Sequence, residues 1–295
     1  MLQIKEFMRL SQSPLLQMIQ FVLLSLVFMA SIASAGNRLS VQSASAIVID
    51  QLTGNIIYEK NSQKIVPIAS VTKLMTAMVL LDSKPLMNKM LTIAAEDVDN
   101  FKHSRSRLSV GTSMTVHEML RLALMSSENR AASALSRNYP GGKRAFINAM
   151  NRKALVLGLN HTRFRDPTGL YAENSSSARD LAKMVAAAAR YPLIREFTTT
   201  QQHYQQVGKR SLVFNNTNPL VKNPKWKIGV SKTGYINEAG KCLVMQSWFE
   251  ERPTIIVLLN APGKLTPVGD SQRIKEWLAH NSKSILALKS ESGVN

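Results

Sequence analysis

Pro67-Ile68-Ala69-Ser70-Val71-Thr72-Lys73-Leu74-Met75-Thr76-Ala77-Met78-Val79-Leu80 is the stretch on which the fold of this chain turns. Helix-compatible residues follow Ser70 without interruption and a proline stands just before, so a helix is predicted to begin at or beside the serine, with Ser70 on its first turn. Residues three apart share a helix face, which brings the Lys73 ammonium within reach of the Ser70 hydroxyl. A free serine is a weak nucleophile and a free lysine is protonated at neutral pH. The pair therefore becomes reactive only where burial or a second cation lowers the lysine pKa. A helix N-terminus also favours negative charge developing at the serine. In isolation, a capping serine followed by a first-turn lysine reads the same way.

The surrounding chain has 295 residues, 45% hydrophobic and 19% charged, enough for a substantial core in one two-lobed domain or two small ones. Lys5 and Arg9 precede an apolar run at 21–30 and then Ser31-Ile32-Ala33-Ser34-Ala35, the small-x-small form of a signal-peptidase site. Residues 1–35 are read as an export leader cleaved near Ala35, its apolar core being short for a membrane span. The lone cysteine, Cys242, excludes an intramolecular disulfide and sits in an apolar run, as a small buried hydrophobe would. A net charge of +18 attracts polyanions, whether nucleic acid, anionic lipid or a carboxylate-rich wall, and export sets nucleic acid aside. Charge that only keeps the protein soluble accounts for the value equally well.

Residues 44–50 and 56–59 are β-prone around a turn at Gly54 and predict a hairpin at a sheet edge, and 91–93 predict a short extended segment. The basic loop 101–107 is read as solvated surface. Thr115-Val116-His117-Glu118 is a capping box opening a helix through Met125. That helix is too apolar for a surface, so it delivers Ser126-Ser127-Glu128-Asn129 from inside a helical lobe continued by 130–139 and 145–157. Asp166-Pro167-Thr168-Gly169-Leu170 is turn chemistry, and Ser177 opens a helix to about Ala189. Runs at 228–233, 241–249 and 254–260 predict an antiparallel meander, and Asp270-Ser271 the cap of a last helix ending near His280. The fold class expected is α/β of the α+β kind: an antiparallel sheet flanked by helices, with a mostly helical second lobe.

Three short patterns follow in order: Ser70-x-x-Lys73, Ser127-x-Asn129 and Lys232-Thr233-Gly234. Ser136-Arg137-Asn138 rivals the second but falls inside a helix pattern, whereas Ser127 stands between two helices, where a side chain can project into a cleft. Ser127 could pass a proton between Lys73 and a leaving amine, and Asn129 could hold a substrate amide. Lys232 would bind a carboxylate and depress the Lys73 pKa, Thr233 would bond the same carboxylate, and Gly234 would admit a close backbone. Backbone N–H groups of Ser70 and Tyr235 are the expected oxyanion hole.

These patterns, with Ser126-Ser127-Glu128-Asn129-Arg130-Ala131-Ala132 and Asp166-Pro167-Thr168-Gly169-Leu170, resemble the low-molecular-mass penicillin-binding D-alanyl-D-alanine peptidases. Glu128 at the centre of the second motif, where the common form has aspartate, resembles the type-7 endopeptidase group. The resemblance spans roughly residues 44–280. It implies a serine D,D-peptidase domain at 36–280 with a short tail at 281–295, Ser70 as acyl-enzyme nucleophile and Lys73 as base, with no cofactor or metal. It further implies periplasmic location, peptidoglycan stem peptides and cross-links as substrate, β-lactam antibiotics as covalent inhibitors, and scope for peripheral wall or membrane association. A D-alanyl bond to the D-centre of meso-diaminopimelate leaves a carboxylate beside the scissile amide, as D-Ala-D-Ala does, so one Lys232 pocket serves endopeptidase and carboxypeptidase alike. A β-lactamase would need an E-x-x-L-N stretch to hasten deacylation, and none follows the second motif. An inactive wall-binding module is the alternative of another class.

Overall fold

Small and β-branched residues place strand β1 (Ser45–Asp50) in the interior, with Ala46, Ile47 and Val48 fully buried. The Asp50 carboxylate accepts the N–H groups of Leu52 and Thr53, which turns the chain into β2 (Ile56–Lys60). In the computed structural model, residues 39–287 are described, with side chains through Asn281, and the proposed leader at 1–35 lies outside them.

After β3 (Val66–Pro67) the chain forms a 3-10 turn, Ala69–Thr72, and only then helix α1 (Lys73–Asp82). Ser70 thus sits in the tighter turn and not on the α-helix expected, but residues three apart eclipse there, so the Ser70–Lys73 pairing is kept. From Lys73 to Leu80 every residue of α1 is buried, as befits a helix apolar nearly all round. A short pair, β4 (Met90–Thr92) and β5 (Ser113–Thr115), leads into α2 (Val116–Met125), whose capping box joins Thr115 and Glu118 reciprocally. The helices α3 (Asn129–Arg137) and α4 (Gly142–Val156) pack around α1 with α2.

The two-residue strand β6 (Ser175–Ser176) pairs with β3, and α5 (Ala178–Ala188), capped by Ser177, packs on β1 and its neighbours. The short strands β3, β5 and β6 were not anticipated, and neither were α6 (Pro192–Thr199) and a hairpin of β7 (Gln202–Val207) and β8 (Arg210–Asn215). The helix is short and polar on one face, and the hairpin strands carry Gln, His, Arg and Asn in place of the usual β-branched residues.

Three long strands follow: β9 (Ile228–Ile236), β10 (Gly240–Phe249) and β11 (Arg252–Ala261). The sheet order is β2-β1-β11-β10-β9, antiparallel throughout, so the predicted hairpin lies at one edge and β9 at the other. Cys242 to Ser247 of β10 are buried without alternation, which requires cover on both faces of the sheet. Cys242 is among them, its thiol pKa pushed up to about 11 by burial.

The last helix, α7 (Thr266–Ala287), starts earlier and runs past His280. Asp270 lies within it and is no cap. Its carboxylate accepts the N–H groups of Gln42 and Ser43 at 2.8 and 2.7 Å and the Ser43 hydroxyl, which ties the chain's entry segment to the closing helix. No helix among the described residues is long and apolar enough to cross a membrane.

Candidate active site

Ser70, Ser127, Asn129, Thr233, Gly234 and Tyr235 line one cleft of about 640 Å³ between the sheet edge and the helical lobe. Lys73 and Lys232 stand behind its wall, each 1% exposed, with their ammonium groups on its serines.

Lys73 Nζ lies 2.8 Å from Ser70 Oγ and donates to Asn129 Oδ1 and to the Thr168 carbonyl, both at 2.7 Å. Burial lowers its pKa to about 7, against the opposing pull of the Asp166 and Glu128 carboxylates. Of the two causes expected, burial and a second cation, burial dominates at Lys73. Lys232 is itself held well below its ordinary value, first by burial and then by the charge of Lys73. Two ammoniums this deeply desolvated do not both stay charged without an anion.

Ser127 caps no helix and adopts a left-handed backbone, φ 62°, a conformation a serine holds only where its surroundings enforce it. Its hydroxyl accepts from Lys232 Nζ at 3.0 Å. The anticipated Ser127–Lys73 contact is absent from this arrangement. Asn129, the first residue of α3, has both ends of its amide engaged: Oδ1 by Lys73, and Nδ2 donating to Ser104 Oγ at 2.9 Å. The rival Ser136 is buried in α3 and donates to the Ser133 carbonyl, away from the cleft. Thr233 donates its hydroxyl to Thr217 Oγ1 at 2.6 Å, so two hydroxyls stand together beside Lys232.

Gly234 matters for packing as well as access. A Cβ there would come within 3.0 Å of Ser70 N and 2.9 Å of the Ile68 carbonyl, so the bare backbone lets β9 press against the nucleophile's turn. That closeness brings Tyr235, the next residue on this edge strand, beside Ser70. The Tyr235 side chain is itself exposed, its hydroxyl donating to Asn237 Oδ1.

The Asp166–Leu170 turn was legible as a turn but not as part of the site. Asp166, 4% exposed, accepts from the Thr168 N–H, the Thr168 hydroxyl, the Gly169 N–H and the Asn174 amide. This locked loop aims the Thr168 carbonyl at both Lys73 and Ser70. A Cβ on Gly169 (φ +85°) would fall 1.9 Å from the Ala69 carbonyl oxygen, so glycine is required where loop and turn meet. Glu128 accepts from Ser106 Oγ and the Arg130 N–H, which ties the 101–107 loop to the start of α3. Arg107, read as solvated, donates to the Val213 carbonyl and covers the Phe214 ring, a structural role.

The arrangement can activate a hydroxyl through a neutral amine, receive a carboxylate on a cation and two hydroxyls, and hold an amide beside both. Comparison with known proteins agrees. Residues 30–263 match the D-alanyl-D-alanine carboxypeptidase family, peptidase S11. A D-alanyl-D-alanine endopeptidase of Pseudomonas aeruginosa is 48% identical over 80% of this chain and 77% of its own length. The Escherichia coli K12 protein of that name is 42% identical over 83% and 80%. The Streptomyces K15 DD-transpeptidase crystal structure superposes with a TM-score of 0.75 at 26% identity, covering 81% of this chain and 97% of that one. By sequence and fold, the chain belongs to the peptidase S11 family of serine D,D-peptidases.

Proposed function

We propose that the protein is an exported, periplasmic D,D-endopeptidase that hydrolyses D-alanyl–meso-diaminopimelyl cross-links of peptidoglycan through an acyl-enzyme on Ser70 and is inhibited by β-lactams. The observation that carries this reading is the buried Lys73 amine, its pKa near 7, 2.8 Å from the Ser70 hydroxyl. A half-neutral amine in contact with the nucleophile is a base matched to its operating pH.

The substrate carboxylate docks on Lys232 with the Thr233 and Thr217 hydroxyls, which restores the charge of Lys232 and favours a neutral Lys73. Ser70 Oγ then attacks the D-alanyl carbonyl as its proton passes to Lys73, and the oxyanion is received by the N–H groups of Ser70 and Tyr235. With Lys232 taken over by the carboxylate, the Ser127 hydroxyl turns to Lys73. It gives its proton to the departing nitrogen as the C–N bond breaks and recovers one from Lys73. Asn129 exchanges its Ser104 bond for the carbonyl of the acyl portion. Water enters by the reverse of this route and releases Ser70.

Slow deacylation of β-lactams is supported by the state of Asp166, the acid in the loop beside Ser70: both its oxygens are occupied by loop donors, so it has none to activate water. A carboxypeptidase acting on terminal D-alanine would use the same pocket. Digestion of purified cross-linked muropeptides with mass analysis of the products separates the two. Conversion of dimers to monomers is expected, whereas release of alanine with dimers left intact contradicts the endopeptidase reading.

A further inference from the structure

The cleft that opens on Ser70 is larger than one alanine leaving group needs, and its outer part has a charge of one sign. It is also walled by the 216–222 segment and by the 264–268 segment that leads into α7. Lys222, Lys241 and Lys264 line it, and none of its lining residues is an aspartate or glutamate. Lys222 is spoken for by Asn215 Oδ1 at 2.9 Å.

Lys241 and Lys264 differ from Lys222 in this respect. Lys241 stands opposite Tyr235 in the β9–β10 register and holds its ammonium 3.1 Å from the centre of the Tyr235 ring. Among the described residues neither Lys241 nor Lys264 has a salt bridge, although the chain forms such pairs elsewhere. Burial and the neighbouring charge of Lys264 lower the Lys241 pKa. Two ammoniums lining one cleft without a carboxylate among its walls repel each other, and an anion bound in that cleft relieves the repulsion. Leu265, 66% exposed, and the exposed Tyr235 ring add apolar surface on either side.

We infer that Lys241 and Lys264 form an anionic subsite for the leaving group, binding a second carboxylate that lies farther from the scissile amide than the one held at Lys232. Resting on the endopeptidase reading, the subsite specifies which leaving groups profit from the cleft. A terminal D-alanine carries one carboxylate and ends at Lys232, whereas the leaving half of a cross-link is a peptide with further free carboxylates and reaches beyond it. The pair thereby favours cross-links over terminal alanine at a site whose chemistry treats the two alike. Binding by solvent-accessible charges is screened by salt, so the preference weakens as ionic strength rises.

The test compares kcat/KM for cleavage of a purified anionic cross-linked muropeptide dimer with that for alanine release from a D-Ala-D-Ala peptide. The full-length mature protein is assayed beside Lys241→Gln/Lys264→Gln, with penicillin acylation of both forms measured to show that Ser70 remains reactive. In the double variant the dimer-to-alanine ratio falls tenfold or more, chiefly through KM, and the salt dependence of dimer cleavage flattens. Restoring charge as Lys241→Arg/Lys264→Arg recovers most of the ratio. An unchanged ratio in a double variant that still acylates overturns the subsite while leaving the endopeptidase reading intact. A wild-type protein that releases alanine but never cleaves the dimer overturns both.

Discussion

Lys73 is where sequence, burial and chemistry meet. Its burial behind Ser70 costs the ammonium its hydration, and the pKa falls to about 7 because the neighbouring carboxylates only partly offset that loss. The free amine is the reactive form, so the acylation rate rises as pH increases through about 7 and levels above it. Second-order rate constants for a labelled penicillin between acid and mildly alkaline pH check this, and a flat profile across neutrality contradicts it. Gly169 supplies a second test at this scale. Gly169→Ala forces a Cβ into the Ala69 carbonyl, which displaces the turn that carries Ser70. A loss of about 2 kcal/mol or more in stability is expected, with acylation slowed by far more than the lower Tm explains. Thermal melts beside acylation kinetics read both. The pairing of Ser70 and Lys73 was legible in the sequence because spacing alone sets it. The bonding of Ser127 to Lys232, and not to Lys73, was not legible, because it depends on how β9 and α3 converge from a hundred residues apart.

Elements were readable to the extent that their signals were local. The α2 capping box and the alternation-free strands of the meander carry their own start and burial signals, and both formed where expected. The β7–β8 hairpin and α6 went unread because pairing partners and a covering surface stabilise them more than composition does. Asp270 was taken for a cap because Asp-Ser before an apolar run has that look. Arg273 one turn on pairs with it, but the N–H groups it holds are those of Gln42 and Ser43, more than two hundred residues away in sequence, and no local pattern announces them. Asp270→Ala removes a charged acceptor from buried N–H groups and is expected to cost about 3 kcal/mol. The sign of the pH dependence follows from the carboxyl pKa, which hydrogen bonds from Ser43 and Gln42 hold below its usual value despite burial. The contribution of Asp270 is present above the ordinary carboxylate range and is lost as pH falls through the lowered folded value. Wild type and variant therefore converge in Tm at acid pH, and a constant gap across the range contradicts the account.

For the molecule as a whole, the sheet and the helical lobe each bring part of the candidate site: β9 supplies Lys232, Thr233 and Gly234, the turn before α1 and the first residue of α1 supply Ser70 and Lys73, and the α2–α3 junction with the first residue of α3 supplies Ser127 and Asn129. Under the proposed function, the net charge of +18 would add a long-range attraction to a polyanionic wall, independent of chemistry at Ser70. Ser70→Ala is accordingly expected to sediment with purified peptidoglycan as wild type does at low salt and to be released at high salt. Binding insensitive to salt would point to a different attachment. The central claim, that a lysine-activated Ser70 forms a covalent acyl-enzyme, is tested most directly by incubating the purified protein and Ser70→Ala with a labelled penicillin and locating the adduct by peptide mass analysis. A stable adduct on Ser70, missing from the variant, is the predicted result, and a protein that neither retains nor turns over the penicillin would contradict it.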